Sequence, residues 1–598
     1  MKQKDSLNKR LNTRLASLVM LSVLSVPWVA SAAGNSVVAN NMLPGNGNKG
    51  NVIAGNVEGG FNGNWTQGNQ MNLHQTTQNA IVTWDSFSIG ANASVTIRGD
   101  HNNFNMLNYV TGSESSQIYG KLNSYVGDKQ GGNIYLVNPN GVQIGNSAEI
   151  NVGSLHIANK KIDNINRWNE NTDIANALKQ NKAMTNAELM SLGYINANKL
   201  VFEGERVVID MDRLSGLDKT KADALTIVSK PYDDKSVGDN RKYDVVLGSS
   251  TPKNAQEWGK YMVFADVSDN GGPMDTATST SWHGTTNVGN PDAPNQTIAE
   301  FFTYRWIKDG KELEKIGQTE GWGMGDHYAL RYSIDLTGSN QTPIGNTKDN
   351  AFKGKFDGLD NSIFGLSINN SDNKKGDATG LFGFTDGAIM GNVTLIAGND
   401  GISVQGSDTD TGAFIGHAVN TTVKGVNSTL KVSGKNNVGG IIGYAEDNRK
   451  LTYSFADASG SVQPDSRSSE LSNLTNTGNV SGVSNVGGLV GYMNGGKLSN
   501  DEENRVQYKG SYNLGKITGI DNGSNYSYNI GGMIGKAENA TVGGTKNTLI
   551  NYNTVEGGYN VGGIVGSISN NTTVANASNE GVVKANGFTI DSYIYHWQ

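Results

Sequence analysis

Catalysis needs titratable or nucleophilic side chains at spacings that let them converge, and this sequence offers few of them. The histidines His74, His101, His156, His283, His327, His417 and His596 are scattered, with no H-E-x-x-H and no pair at ligand spacing. Cysteine is absent, which removes thiol chemistry and cysteine-ligated metals. No G-x-S-x-G, P-loop or dinucleotide fingerprint occurs. A glycan-cleaving β-helix would need clustered carboxylates on one face. Asp408-Thr-Asp410 and Asp233-Asp234 are the nearest candidates, and both read as solvated turns, with calcium ligation the lesser alternative. The expectation is a non-enzymatic protein with no cofactor and no metal. Arg98-Gly99-Asp100 is the integrin-ligand tripeptide. It follows a strand ending at Ile97 and is expected on a turn, where Gly-Asp is also ordinary turn chemistry.

The elements that position these residues are short and repetitive. The 598 residues include 78 glycines, and asparagine is about as frequent, so the chain turns often. A net charge of −7 with no lysine or arginine stripe sets nucleic-acid binding aside. Residues 1–32 read as an export signal. Lys2, Lys4, Lys9, Arg10 and Arg14 precede an apolar run from Leu15 to Val29, and Ala30-Ser31-Ala32 is an A-x-A site with cleavage before Ala33. The run is short and holds Pro27, unlike a membrane-spanning helix.

From 33 to about 200, strands of three to five residues alternate with Asn/Gly turns. They include Ala80–Trp84, Phe87–Ile89, Ala93–Ile97, Ile134–Val137, Val142–Ile144 and Leu155–Ile157. Residues 172–192 carry apolar residues at helical spacing and predict a helical excursion. Residues 201–375 form a more charged, β-rich middle region, and 376–598 are openly repetitive. Asn437-Val-Gly-Gly-Ile-Ile-Gly443 recurs from Asn485, Asn529 and Asn560, with weaker copies from Thr379 and Thr411. Asn476-Thr-Gly, Asn513-Leu-Gly and Asn579-Glu-Gly form a second series. Such spacing means stacked repeats. The branched residues are expected inside, the glycines at the corners, and the asparagine before each Val-Gly-Gly unit in a hydrogen-bonded ladder, as in stacked parallel strands. A coil of about 20–25 residues is assumed from the solenoid range.

Several ordered motifs resemble a known family. Gln78-Asn-Ala-Ile-Val-Thr-Trp-Asp-Ser-Phe-Ser-Ile-Gly90, Leu107-Asn-Tyr-Val-Thr-Gly112, Ser116-Gln-Ile-Tyr-Gly120, Val137-Asn-Pro-Asn-Gly-Val142 and Asn151-Val-Gly153 follow one another. Together they resemble the N-terminal secretion domain of filamentous haemagglutinin and high-molecular-weight adhesins. The family's N-P-N-L motif does not appear. The C-terminal units are similar to GLUG repeats of bacterial surface proteins. The resemblance implies an all-β, right-handed parallel β-helix and an outer-membrane transporter partner with periplasmic domains. It further implies a secreted or cell-surface adhesin of a Gram-negative bacterium, contributing to virulence or biofilm by binding a host-cell receptor, a glycan or neighbouring bacteria, as a monomeric rod. A β-helix polysaccharide-degrading enzyme, or the stem of a contact-dependent toxin truncated at its C-terminus, is the alternative. Asn138, Pro139, Asn140 and Gly141 either build a type I turn or also touch the transporter. Trp84 and Phe87 read as core, with partner contact the lesser reading.

Overall fold

Strands this short are marginal alone, so what each one stacks on decides the fold. The computed structural model describes residues 38–181, 184–221, 223–229, 244–252, 261–266, 286–287, 303–398, 403–408, 410–447, 454–456, 462–464, 469–499, 510–521, 526–543 and 549–586. The export signal with Ala30, Ala32 and Ala33, and the Asp233-Asp234 pair, lie outside the described residues. The chain divides into two compact units, Val29–Arg305 and Trp306–Gln598. This division falls inside the stretch 201–375.

In the first unit, successive strands of the chain are laid on three parallel sheets. One stacks Asn79–Trp84, Asn105–Val110, Asn133–Val137, Ser154–Ala158, Lys199–Glu203 and Leu225–Ser229. The second stacks Gln70–Gln75, Ser94–Gly99, Lys121–Val126, Glu149–Asn151 and Tyr194–Asn196. The third stacks Ser116–Ile118, Val142–Ile144, Glu188–Ser191 and Arg206–Asp210. This is the parallel β-helix expected from the sequence. Register puts like on like: Ala80, Met106, Ile134, Leu155, Leu200 and Leu225 form one interior column, all buried. Beside it, Asn133 donates to Asn105 at 2.9 Å and Asn105 to Asn79 at 2.7 Å. Asn51–Ala54 and Val57–Gly59 pair antiparallel with the first strands of their sheets and close that end of the stack.

Two local expectations change. Phe87–Ile89 is a corner rather than a strand, with Ile89 alone bridging Ile118. The helical excursion is limited to Ile174–Gln180, N-capped by Asp173 accepting from the Asn176 N–H at 3.1 Å. Glu188–Ser191 belongs to the third sheet instead, because Leu189 fills an interior column between Val142 and Val207. Ile174 and Leu178 of the helix pack over the outer faces of Ile81, Leu107, Tyr135 and Val137. That sheet is therefore apolar on both sides, which is why its strands read as nearly continuous hydrophobic runs.

In the second unit each repeat is two short strands meeting at a corner. Asn436–Gly439 with Ile442–Glu446 is one pair, and Ser484–Gly487 with Val490–Asn494 the next. Tyr528–Gly531 with Ile534–Glu538, and Tyr559–Gly562 with Val565–Ser569, complete the series. The weaker copies join the same stacks through Ala378–Thr379, Phe382–Asp386, Asp410–Gly412 and Ile415–Val419. The left-handed residue of the motif is its asparagine: Asn437, Asn485, Asn529 and Asn560 have φ of 50°, 51°, 58° and 52°. The glycines are required by close approach instead. A Cβ at Gly439 would lie 1.9 Å from the Ile442 carbonyl oxygen, one at Gly440 2.2 Å from that of Gly488, and one at Gly443 2.4 Å from the Thr411 nitrogen.

The expected asparagine ladder forms, and a second one that the sequence reading did not include forms beside it. Asn485 donates to Asn437 at 2.7 Å, Asn529 to Asn485 at 2.8 Å and Asn560 to Asn529 at 2.9 Å. In the other series Asn476 donates to Asn513 at 3.0 Å, Asn513 to Asn551 at 2.8 Å and Asn551 to Asn579 at 2.7 Å. Rungs of the first ladder, which begins at Asp410, are 27 to 48 residues apart in sequence, longer than the assumed coil. The excess sits between strands and adds no rung. A helix, Gly310–Leu313, and the buried Leu313, Ile316 and Trp322 belong to the core at the start of this unit, with Trp322 stacked 5.9 Å from Tyr328.

Candidate functional site

The Asn138–Gly141 turn is built by its own side chains and tied to its neighbours. Gly141 N–H donates to the Asn138 carbonyl at 3.2 Å, closing the turn, and Gly141 has φ of +103°. Asn138 is buried. Its Nδ2 donates to the Glu114 carbonyl and to Ser116 Oγ, each at 3.0 Å, while its Oδ1 accepts the Asn140 N–H at 2.9 Å. Asn140 Nδ2 donates to the Gly112 carbonyl at 2.7 Å, and Thr185 Oγ1 donates to the Pro139 carbonyl at 2.6 Å. Asn138 thus works inward, and Asn140 is the exposed member of the turn.

Trp84 and Phe87 are buried, their rings 5.6 Å apart at 82°, and Trp65 lies 5.8 Å from Trp84. Trp84 Nε1 donates to the buried Asn108 Oδ1 at 3.1 Å, so the indole brings its polar atom to a partner. Arg98 and Gly99 end the strand Ser94–Gly99 rather than forming a turn. Gly99 is buried, and a Cβ there would sit 2.0 Å from the Phe104 ring. Arg98 lies 5.1 Å over the Tyr125 ring, and Asp100 Oδ1 pairs with His74 Nε2 at 2.7 Å.

A buried ion cluster holds the excursion to the helix. Glu203 and Lys160 are 1% and 0% exposed and form a salt bridge. His156 Nε2 lies 2.6 Å from Glu203 Oε1, and Lys160 Nζ donates to the Leu178 carbonyl at 2.9 Å, near the C-terminus of Ile174–Gln180. Burial alone would raise the Glu203 carboxyl, but the charges and hydrogen bonds of Lys160 and His156 outweigh it and hold it down at about 2. Sequence reading missed this cluster. His156 and Lys160 lie on one coil and Glu203 on the next, so stacking of successive coils is what brings the carboxylate to them.

In the repeat unit, Phe384, His417, Tyr444, Tyr492 and Lys536 occupy one in-register column. Tyr444 and Tyr492 stack 4.7 Å apart at 10°, and His417 lies 4.6 Å from Tyr444. His417 Nδ1 faces Asp410 at 2.8 Å and its Nε2 faces Glu446 at 3.3 Å. Tyr492 donates to Glu538 at 2.7 Å. Burial first, then the adjacent carboxylates, push both phenols above the ordinary tyrosine range. The carboxylates of this column are thus engaged by a histidine, two phenols and Lys536. Asp408 pairs with Lys435 at 2.6 Å. Among the described residues, no group of three or more His, Cys, Asp or Glu could hold a metal ion.

A family model, the TPS secretion domain, matches residues 52–211. A heme/hemopexin-binding protein of Haemophilus influenzae is 34% identical over 146 residues, 24% of this chain and 16% of that protein. Halomucin of Haloquadratum walsbyi is 42% identical over 122 residues, 20% of this chain and 1% of that protein. The crystal structure of the HMW1 secretion domain from Haemophilus influenzae aligns over 90% of this chain and 98% of its own, at 14% identity and a TM-score of 0.23. The chain therefore spans a small fraction of the curated relatives it matches.

Proposed function

We infer that this chain, whose residues 52–211 are a TPS secretion domain, is a two-partner secretion exoprotein handed to an outer-membrane transporter partner. The match over 52–211, which contains the Asn138–Gly141 turn, is the observation that carries this reading. A chain without cysteine crosses a second membrane with no disulfide loop in its way. Beyond the pore, each new coil buries its interior residues against the previous one, so folding outside opposes backsliding. The repeat unit then serves as a GLUG-type adhesive surface on the bacterium, binding host cells or other bacteria.

The adhesive role is tested with the secreted chain purified from medium and coated on beads. Attachment to epithelial cells or to the producing bacteria, lost when Trp306–Gln598 is deleted, is the expected result. Equal attachment by uncoated beads would exclude adhesion.

A further inference from the structure

We propose that Tyr444 and Tyr492 are a built-in cross-linking site, at which a one-electron oxidant joins the two rings as dityrosine while Glu446 and Glu538 take up the phenolic protons. The pair follows from register. Ile442–Glu446 and Val490–Asn494 are parallel neighbours, with Tyr444 opposite Tyr492 and the buried Ala445 opposite the buried Met493. The tyrosines therefore sit together on the outer side of this sheet, each half-buried. Their rings lie 4.7 Å apart at 10°, so like atoms face each other at about the spacing of neighbouring strands. Two other tyrosine pairs lack that alignment: Tyr512 and Tyr552 are 6.2 Å apart at 39°, and Tyr526 and Tyr559 are crossed at 83°.

The surroundings suit oxidation rather than ligand binding. Both outer ring faces of the pair are taken: His417 lies 4.6 Å from Tyr444, and Lys536 Nζ lies 4.6 Å over Tyr492. A sugar or flat ligand has no face to stack on, and the column offers ring edges. Each phenol donates to a carboxylate, Tyr444 to Glu446 at 3.1 Å and Tyr492 to Glu538 at 2.7 Å. Burial first, then the carboxylates, hold both phenols above the ordinary tyrosine range, so each is protonated and gives up its electron together with a proton. In the step, each ring passes one electron to the oxidant and its phenolic proton to the carboxylate. The two radicals then form a carbon–carbon bond between positions ortho to the hydroxyls. The ring hydrogen on each of those carbons moves to a phenol oxygen, so two electrons and two protons leave in all. The bond ties one coil to the next in a chain that has no cysteine, closing a loop in the unfolded state as a disulfide does elsewhere.

The purified full chain is illuminated with a ruthenium tris-bipyridyl photo-oxidant and persulfate, whose reduction to sulfate takes the two electrons. The chain is kept dilute so that copies rarely meet, and the monomer is digested and its cross-linked peptides identified by mass spectrometry. The expected result is blue dityrosine fluorescence in the monomer, with one dominant peptide pair that joins Tyr444 to Tyr492 and weighs two hydrogens less than its parts. Tyr444→Phe and Tyr492→Phe each keep a ring in the stack, and each should remove that pair and most of the fluorescence. Glu538→Gln can still accept the phenol's hydrogen bond but cannot hold its proton, and should slow the coupling several-fold. Dityrosine spread over other pairs, no intrachain dityrosine where free tyrosine couples under the same illumination, or an equal coupling rate in Glu538→Gln would each overturn the proposal.

Discussion

Replacing Lys160 with methionine is expected to destabilise the first unit by about 3–5 kcal/mol, the usual cost of leaving a buried charge without its partner. Glu203 would remain 1% exposed with only His156 Nε2 against its carboxylate, and the Leu178 carbonyl would lose its donor. Equilibrium urea unfolding of the chain, followed by tryptophan fluorescence, measures the loss. Adding Glu203→Gln should recover part of it, because removing both charges leaves no ion stranded. The pH dependence follows from the same cluster. Glu203 sits at about 2 in the folded chain against an ordinary 4.5, so its contribution is complete above about pH 4.5 and disappears as pH falls to about 2. The double variant should show a shallower acid limb over that window. An unchanged urea midpoint for Lys160→Met would mean the cluster contributes nothing net.

The second large effect is on export. Asn138→Ala with Asn140→Ala should bring the chain in the medium down to the level of a host lacking the transporter partner. Asn138 side-chain bonds satisfy the Glu114 carbonyl, Ser116 Oγ and the Asn140 N–H. Losing the bond to the buried Ser116 Oγ alone costs about 1–3 kcal/mol, before the two partly exposed partners are counted. The single variants separate two roles for the turn. If it acts by building the helix, the buried Asn138 dominates. If it acts by touching the partner, the exposed Asn140 dominates. Quantitative immunoblots of medium and periplasm decide between them, and normal secretion of the double variant would sink both.

The all-β, stacked character was readable because the repeat announces itself: four copies of Asn-x-Gly-Gly place their branched residues at fixed offsets. The ladder from Asn437 to Asn560 was readable for the same reason, since in-register stacking aligns equivalent asparagines, whereas the one through Asn476, Asn513, Asn551 and Asn579 was not read. What the glycines do was not. Asparagine takes the left-handed conformation, and Gly439 and Gly443 are glycine because neighbouring backbone fills the space a Cβ would need. Only the three-dimensional corner reveals that crowding. The excursion at 172–192 misled because Leu189 fits helical spacing equally well as the interior residue of a three- or four-residue strand, and periodicity cannot arbitrate over so short a run. The Lys160–Glu203–His156 cluster was not legible, because Glu203 lies one coil beyond His156 and Lys160 across an excursion of no fixed length. The His417–Tyr444–Tyr492 column went unread although each member follows the closing glycine of its repeat, Gly416, Gly443 and Gly491. Arg98-Gly99-Asp100 shows the opposite error, a familiar tripeptide whose Arg and Gly belong to a strand.

The central claim is that this chain leaves the cell through a dedicated outer-membrane partner. It is tested most directly by expressing the chain in a Gram-negative host with and without a cognate transporter, and blotting medium, cell surface and periplasm. The account predicts chain in the medium or on the surface only when the transporter is present, with accumulation in the periplasm otherwise. Export that is equal without the transporter, or periplasmic retention despite it, would contradict the account and leave the parallel β-helix without an assigned route.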